Sequence, residues 1–278
     1  MATTSVPAPA PSPAPAAATG GAGGSTPGVP DDWPAWAKTL LSRPMIEVRR
    51  GLSFGYDPPT EKSSVIALTA PSGKNVDIRF SMAADSFSAT APWASSLFDG
   101  YATAGVARAT LPIGTESCVP YECCAHVTWE HTIDSSCQFD TDGADMYLLG
   151  NGDVMEIGTM ADKEGKVKMF KEYWTKPDPD AKVRPCVVAE AEGLRGEKGM
   201  IIRIGEYCQG IYQGGESFWA ERWQLSQDDN IWQKHEKSKS SPEGSEYLPC
   251  LWLVEDGRKL DDVVDVSGGK WRITEAVY

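Results

Sequence analysis

The chain has 278 residues and carries 39 acidic against 26 basic side chains, a formal net charge of -13. A surface this acidic repels phosphate backbones and anionic lipid headgroups. We therefore predict no nucleic-acid partner and no membrane partner. No apolar run approaches the roughly 20 residues that span a bilayer. The 7 cysteines, an odd number without a visible secretory signal, favour reduced thiols and a cytoplasmic location.

The first 30 residues are rich in proline, alanine and glycine. Such a segment favours extended, flexible chain and cannot bury a core, so we predict a disordered tail over residues 1–30. Its prolines interrupt the apolar run that a secretory signal needs, although a targeting role stays open. Residues 31–42 place acidic residues before an apolar stretch and predict a short helix.

From residue 46 onward, short β-forming runs are separated by turn residues. Residues 64–69 and 75–80 predict a hairpin in which Val76, Ile78 and Phe80 share one face. The prolines near residue 177 indicate a linker between two halves. Further strands are predicted over residues 125–133, 145–149, 154–160, 166–174, 186–191, 199–212, 218–225, 231–234, 251–254 and 270–277. Such even spacing favours a sandwich or barrel.

Several segments carry recognisable motifs in a fixed order. They are VIALTAPSG at 65–73, VDIR at 76–79, HVTWEHTIDS at 126–135, DMY at 145–147, MEIGTM at 155–160, EYW at 172–174, GMIIRIG at 199–205, QG at 209–210 and WRI at 271–273. In this order they resemble the fungal casein-kinase-interacting protein family over about residues 45–278.

The resemblance implies a mainly β chain with two lipocalin-like antiparallel β-barrels, which agrees with the strand pattern. We accordingly predict a first barrel over residues 31–175, including the short helix, and a second over residues 181–278. The resemblance also implies a casein-kinase-type partner. The chain departs from the family in its tail, in the cysteine-rich loop at 118–124 and in a polar insertion around 234–246. These departures leave room for a specialised relative, for example one in fungal secondary metabolism.

No metal or cofactor is expected. Cys118, Cys123, Cys124 and His126 lie close in sequence, but adjacent cysteines fit a tetrahedral zinc site poorly, and an inert or redox-sensitive loop suits them better. The sequence contains no serine-hydrolase, phosphate-loop, dinucleotide or His-Glu-x-x-His motif. The corresponding enzyme classes are therefore not favoured.

Two candidate site residues lie in the segment 125–133. Alternation puts Val127, Trp129, His131 and Ile133 on one apolar face. Inside a barrel, His131 would serve as a catalytic acid or base beside Trp129, because the reference pKa of histidine lies near neutrality. The alternative is a structural histidine that is hydrogen-bonded in the core.

The second half supplies the other candidates. Strand alternation puts Trp219, Glu221 and Trp223 on one face. Glu221 is then either a cavity acid with a raised pKa or part of a structural ion pair. If residues 199–212 form one strand, Arg203 and Tyr207 share a face, and both are candidate ligand-binding residues. The tryptophans offer flat surfaces to a ligand and also suit a barrel core.

Two functions from different classes follow. The first is a non-enzymatic lipocalin-like module that binds a small hydrophobic ligand, a protein partner, or both. The second is a cofactor-independent biosynthetic enzyme, a cyclase, isomerase or dehydratase, which works in a barrel cavity with His131 and Glu221 as catalytic residues.

Overall fold

The structure is a computed structural model that describes residues 30, 32–82, 100–111, 124–137, 139, 141–161, 166–178, 180–193, 196–214, 217–236, 238–239, 247–266 and 269–278. The predicted tail, apart from residue 30, lies outside the described residues, as do Cys118 and Cys123 of the cysteine-rich loop and most of the polar insertion. These predictions stay predictions.

The described residues form two short helices, α1 (Ala35–Leu40) and α2 (Cys250–Val254). The strands are β1 (Met45–Phe54), β2 (Ser63–Thr69), β3 (Lys74–Ser81), β4 (Gly100–Thr110), β5 (Cys124–Asp134), β6 (Thr141–Leu148), β7 (Val154–Ala161), β8 (Val167–Thr175), β9 (Cys186–Glu192), β10 (Lys198–Ile204), β11 (Tyr207–Gly214), β12 (Ser217–Leu225), β13 (Trp232–Lys234), β14 (Val263–Val266) and β15 (Gly269–Val277). Among these described residues, no helix is long and apolar enough to cross a bilayer.

Strands β1 to β8 form a closed antiparallel barrel in sequence order, sealed by pairing of β1 with β8. The sequence did not predict β4, because its run of alanine, glycine and threonine has weak β propensity. The small residues have a packing reason. A Cβ on Gly105 would lie 1.8 Å from the Glu130 carbonyl oxygen, so the bulge between β4 and β5 requires glycine there.

Strands β9 to β15 form a second antiparallel sheet in the order β13-β12-β11-β10-β9-β15-β14, curled into a half-barrel. The predicted single strand at 199–212 is wrong, because β10 and β11 form a hairpin that turns at Gly205 and Glu206. Gly205 has a φ of +54°, and a Cβ there would lie 1.9 Å from the Lys182 carbonyl oxygen. Glycine is therefore required at this turn.

The segment predicted as a strand at 251–254 is instead helix α2. A short apolar run does not distinguish strand from helix by periodicity alone. The helix buries Cys250, Leu253 and Val254 against the second sheet, in a cluster with Ile201 and Trp271. It therefore covers the sheet face that points away from the barrel.

The two sheets share a core. Val76, Ile78 and Phe80 do share a face, as predicted, but that face is the outer wall of the barrel, packed against Ile202 and Ile211 of the second sheet. The inner wall of the same strand carries polar residues. A mainly β chain with two barrel-like units is thus confirmed, with the second unit set against the outside of the first.

A polar pair crosses the shared core. Buried Gln209 donates to the Ile66 and Val76 carbonyl oxygens at 3.0 and 3.2 Å. Arg222 donates to the Gln209 amide oxygen at 2.6 Å and to the Ile78 carbonyl oxygen at 2.6 Å. Burial lowers the pKa of Arg222 to about 9. These bonds fix the second sheet in register on the barrel, because each buried donor has a specific acceptor across the interface.

Candidate functional site

The closed barrel encloses a cavity of about 650 Å³. The cavity exists because several inward positions carry small side chains, among them Ala67, Thr103 and Ala107. Leu40 at the end of helix α1 and Leu41 directly after it contribute to its lining. A cavity of this volume lies within the range that accommodates small organic ligands.

The part of the wall next to α1 is apolar. Leu40 and Leu41 cluster there with Ala107, Val127 and Met146. Trp129 and Trp174 border the same region, and both line the cavity. This part of the wall suits the hydrocarbon portion of a ligand.

The wall opens between β6 and β7. These strands pair from Leu148 and Val154 only as far as Ala144 and Gly158. Beyond that point, exposed residues of both strands line the cavity, Gly143 and Asp142 on one side and Thr159 and Ala161 on the other. Among the described residues, this splayed pair of strands gives the cavity an edge in contact with solvent.

A group of charged side chains lies on the inner wall near the middle of the barrel, and we call this group the charged floor. Arg79 lies 2.7 Å from Asp77 and 3.4 Å from Glu172. Glu172 also accepts a hydrogen bond of 2.6 Å from Arg49, which in turn pairs with Glu61 at 2.8 Å. Burial opposes the charge of Arg79, but Asp77 and Glu172 outweigh it and raise the pKa of the guanidinium. The floor is a network of ion pairs.

Two further acids face this network with raised pKa values. Burial and the nearby Asp77 raise the pKa of Glu47 to about 7, against the opposing effect of Arg43. Burial and the neighbouring Glu172 raise the pKa of Glu156 well above its usual range. Glu156 also accepts a hydrogen bond of 2.9 Å from the Trp174 indole nitrogen. Both carboxyls therefore hold a proton more tightly than an exposed acid does.

Of the seven residues that the sequence singled out, the cavity contains His131 and Trp129. His131 Nδ1 lies 3.3 Å from Asp134 Oδ2, and its Nε2 lies 3.7 Å from Asp142 at the open edge. The Tyr101 hydroxyl donates to Asp134 at 3.1 Å. Burial would raise the pKa of Asp134, but hydrogen bonds from His131 and Ser136 outweigh it and lower that pKa. Asp134 thus orients an imidazole beside the cavity.

A bulge produces this arrangement. Pairing between β4 and β5 shifts by one residue at Thr132, so Ile133 turns to the outer core while Asp134 turns inward. The predicted face that groups Ile133 with His131 is therefore wrong, because strict alternation ends at a bulge. The second sheet supports the new position, since Gln213 bonds both the backbone nitrogen and the carbonyl of Asp134.

The other candidates lie in the second sheet, away from this cavity. Glu221 accepts a hydrogen bond of 2.8 Å from the Trp223 indole and lies 3.6 Å from Lys234. Trp219 stacks on Tyr247 with ring centroids 5.6 Å apart. These residues pack on the face covered by α2, so the structure does not bring Glu221 and His131 to one site.

Arg203 and Tyr207 lie on opposite faces of the second sheet. Arg203 is buried on the α2 side and donates to the Val254 carbonyl oxygen at 2.6 Å, with Asp256 at 3.3 Å. Tyr207 pairs directly with Ile204 and packs against the core shared with the barrel. The predicted common face of Arg203 and Tyr207 is wrong, because the turn at Gly205 reverses the chain between them.

The charged floor was missed by the sequence reasoning. Its residues are Glu47, Asp77, Arg79, Glu156 and Glu172. A signal existed, since Asn75, Asp77 and Arg79 alternate with Val76, Ile78 and Phe80. In an isolated sheet the apolar face is the core face and the polar face is solvated. Here the second sheet covers the apolar outside, so the polar face lines the interior.

No group of three or more histidine, cysteine, aspartate or glutamate side chains is placed to hold a metal ion within the described part of the chain. Cys124 is buried, and His126 bonds Asp145 at 2.9 Å. The five cysteines that the structure describes carry free thiols: Cys124, Cys137, Cys186, Cys208 and Cys250.

Comparisons with known proteins agree with this architecture. The family model described as Protein HRI1 matches residues 45–275. A similar solved structure is that of an uncharacterized protein, YLR301w, from Saccharomyces cerevisiae, with a TM-score of 0.64 and 13% identity over 84% of this chain and 98% of that chain. At this identity the likeness shows the fold alone. No curated protein matches the chain.

Proposed function

We propose, from the premise that this chain belongs to the Protein HRI1 family, that it is a lipocalin-like binding protein whose first barrel holds a small amphipathic ligand. The observation that supports this proposal is the cavity of about 650 Å³ inside a closed barrel. Protein interiors are close-packed, so a cavity of this size inside a barrel favours a binding function.

The two parts of the wall define what fits. The apolar part beside α1, with Leu41 and Val127, favours a hydrocarbon body. The floor with Arg79, Asp77 and Glu172 offers fixed donors and acceptors, which would leave a purely apolar ligand against unpaired polar groups. A ligand with one apolar and one polar end satisfies both parts, which refines the predicted small hydrophobic ligand.

Binding is tested by analysis of the full chain purified from its own host. Native mass spectrometry, followed by denaturing extraction, reveals a co-purifying metabolite at about one per chain if the cavity is occupied. Two matched variants locate it. Ala67→Phe adds a ring to the lining, and Thr128→Phe adds the same ring between lining residues Val127 and Trp129, on the opposite side of β5.

We expect Ala67→Phe to remove the metabolite and Thr128→Phe to retain it, with both variants folded by circular dichroism. A metabolite that survives Ala67→Phe at full occupancy lies elsewhere, which contradicts the proposal. A clean unliganded mass with a kinase retained instead favours the other predicted role, an interaction module with a casein-kinase-type partner. That partner, the cytoplasmic location and the link to secondary metabolism stay predictions.

A second candidate function is supported by the pair of His131 and Asp134. An imidazole held by a carboxylate beside an enclosed cavity can move a proton to or from a bound ligand. This supports the alternative of a cofactor-independent isomerase or dehydratase. The co-purified metabolite incubated in D2O with the protein would then exchange a carbon-bound hydrogen. His131→Gln would abolish exchange while retaining the metabolite, and equal exchange in both proteins would exclude this role.

A further inference from the structure

Resting on the proposed binding function, we propose that the charged floor of the barrel selects a protonated primary or secondary amine as the polar end of the ligand. Two buried carboxylates that line the cavity, Asp77 and Glu172, each keep one oxygen without a hydrogen-bond partner. The chemical class that satisfies them is a cation with N–H donors.

The unpartnered atoms are Asp77 Oδ1 and Glu172 Oε2. Asp77 is 7% exposed and Glu172 is 2% exposed, and both line the cavity. Arg79 engages the other oxygen of each, at 2.7 Å from Asp77 Oδ2 and 3.4 Å from Glu172 Oε1. A buried acceptor that lacks a donor costs about 1–3 kcal/mol, more when charged. A cation with N–H donors can remove this penalty once a small rotation of each carboxylate brings its unpartnered oxygen to the cavity surface.

The excess of acidic side chains in the cavity lining also favours a cationic ligand. Among the described residues, the cavity lining carries Glu47, Asp77, Asp142, Glu156 and Glu172 against two guanidinium groups, Arg43 and Arg79. Arg49, which also bonds Glu172, is itself paired with Glu61. Buried acids in such excess either take up protons or bind a cation.

The surroundings suit an organic cation better than a metal ion. Within the described residues, no cluster of three or more acids, histidines or cysteines has the spacing of a metal site. The lining includes Tyr101, Trp129, Phe170 and Trp174. Aromatic faces attract ammonium groups, and the apolar wall beside α1 accepts an attached hydrocarbon chain.

The test measures the affinities of a matched ligand series for the full chain by isothermal titration calorimetry. The probes share one chain length: octylamine, octanol, octanoate and octyltrimethylammonium. We expect octylamine to bind at least tenfold more tightly than octanol, and octanoate to bind more weakly than octanol. Octyltrimethylammonium should fall below octylamine, because it has the charge without the N–H donors.

Substitutions in the chain test whether the charged floor is the source of the preference for an amine. Asp77→Asn should reduce octylamine affinity about tenfold and change octanol affinity less than twofold. Glu130→Gln is the matched control, since Glu130 is an exposed carboxylate on β5 outside the cavity lining. If Asp77→Asn fails to fold, the wild-type ligand series decides the question by itself, because its four probes share one chain length and differ only in the polar end.

The outcomes separate the two proposals. If octanol and octylamine bind equally, and Ala67→Phe blocks both, the barrel binds ligands but does not select an amine. If no probe binds and no metabolite co-purifies, the binding function itself fails. Displacement of octylamine by millimolar MgCl2, at constant ionic strength, would overturn the amine assignment in favour of a metal ion.

Discussion

Glu156 on β7 and Glu172 on β8 are direct cross-strand partners, and both side chains line the barrel cavity. Like charges in this position destabilise a sheet. The barrel accommodates them unequally, because Glu172 is bound by Arg49 and Arg79 while Glu156 has a pKa raised well above its usual range. Burial and the neighbouring Glu172 thus favour the protonated form of Glu156.

Stability should depend on pH through Glu47. Its pKa rises from 4.5 to about 7 in the folded chain, so the folded state holds this proton more tightly than the unfolded state. The resulting stabilisation is complete below about pH 4.5 and is lost as the pH rises through 7. Glu47→Gln removes this titration. We expect the free energy of unfolding of the variant, relative to wild type, to increase by about 2 kcal/mol between pH 5 and pH 8.

Urea denaturation at pH 5, 6, 7 and 8 measures this difference. Glu130→Gln serves as control, because Glu130 is exposed and pairs with exposed Arg108 at 3.2 Å; its difference from wild type should stay constant. Parallel stability curves for wild type and Glu47→Gln would show that Glu47 titrates normally.

Arg222 should contribute strongly to stability. Arg222→Ala removes donors from Gln209 and from the Ile78 carbonyl oxygen in the core between the sheets. Buried acceptors left without donors, together with the lost side-chain packing, should reduce the free energy of unfolding by about 3 kcal/mol. Arg108→Ala, on the exposed barrel surface, should change it by less than about 0.5 kcal/mol. If both substitutions changed the free energy of unfolding equally in urea denaturation, Arg222 would not stabilise the contact between the two sheets.

Gly105 should tolerate no side chain. A Cβ there would meet backbone 1.8 Å away at the β4–β5 bulge, and backbone cannot move aside as a flexible side chain can. Gly105→Ala should therefore destabilise by about 4 kcal/mol or more, or yield insoluble protein. Gly150→Ala is the control, since nothing lies within 4 Å of its Cβ position. A soluble Gly105→Ala variant with the wild-type melting temperature would refute the described register.

Glu221 should be separable from ligand binding. Its contacts, Trp223 at 2.8 Å and Lys234 at 3.6 Å, lie on the second sheet. Glu221→Gln should reduce stability by about 1 kcal/mol, because it weakens an ion pair that is partly exposed, and should leave octylamine affinity within twofold. A tenfold loss of affinity in a folded Glu221→Gln variant would place the ligand in the second sheet instead.

The sequence predicted the strands whose apolar residues alternate regularly. Residues 64–69, 75–80 and 154–160 were predicted within about one residue of β2, β3 and β7. Such strands carry their own signal, because each side chain's environment follows from the period of two. The prediction failed for β4, whose residues are small for packing reasons, and for α2, whose short apolar run has no decisive period.

His131 and Trp129 were predicted as site residues, and the fold places both on the cavity. The predicted grouping of the other candidates depended on uninterrupted alternation. A turn at Gly205 and a bulge at Thr132 interrupt it. Gly205 is itself a turn signal that the prediction passed over, whereas the bulge has no strong sequence signature, since it depends on how the neighbouring strand pairs.

The sequence by itself determined the β class of the chain, most of its strands and the two faces of those strands that no bulge or turn interrupts. Only the tertiary structure decided which face is inside. Because the second sheet covers Val76, Ile78 and Phe80 from outside, the apolar side chains of this strand are buried between the sheets rather than within the barrel. The inner positions of this part of the barrel are thereby left to Asp77, Arg79 and Glu172, beside the cavity.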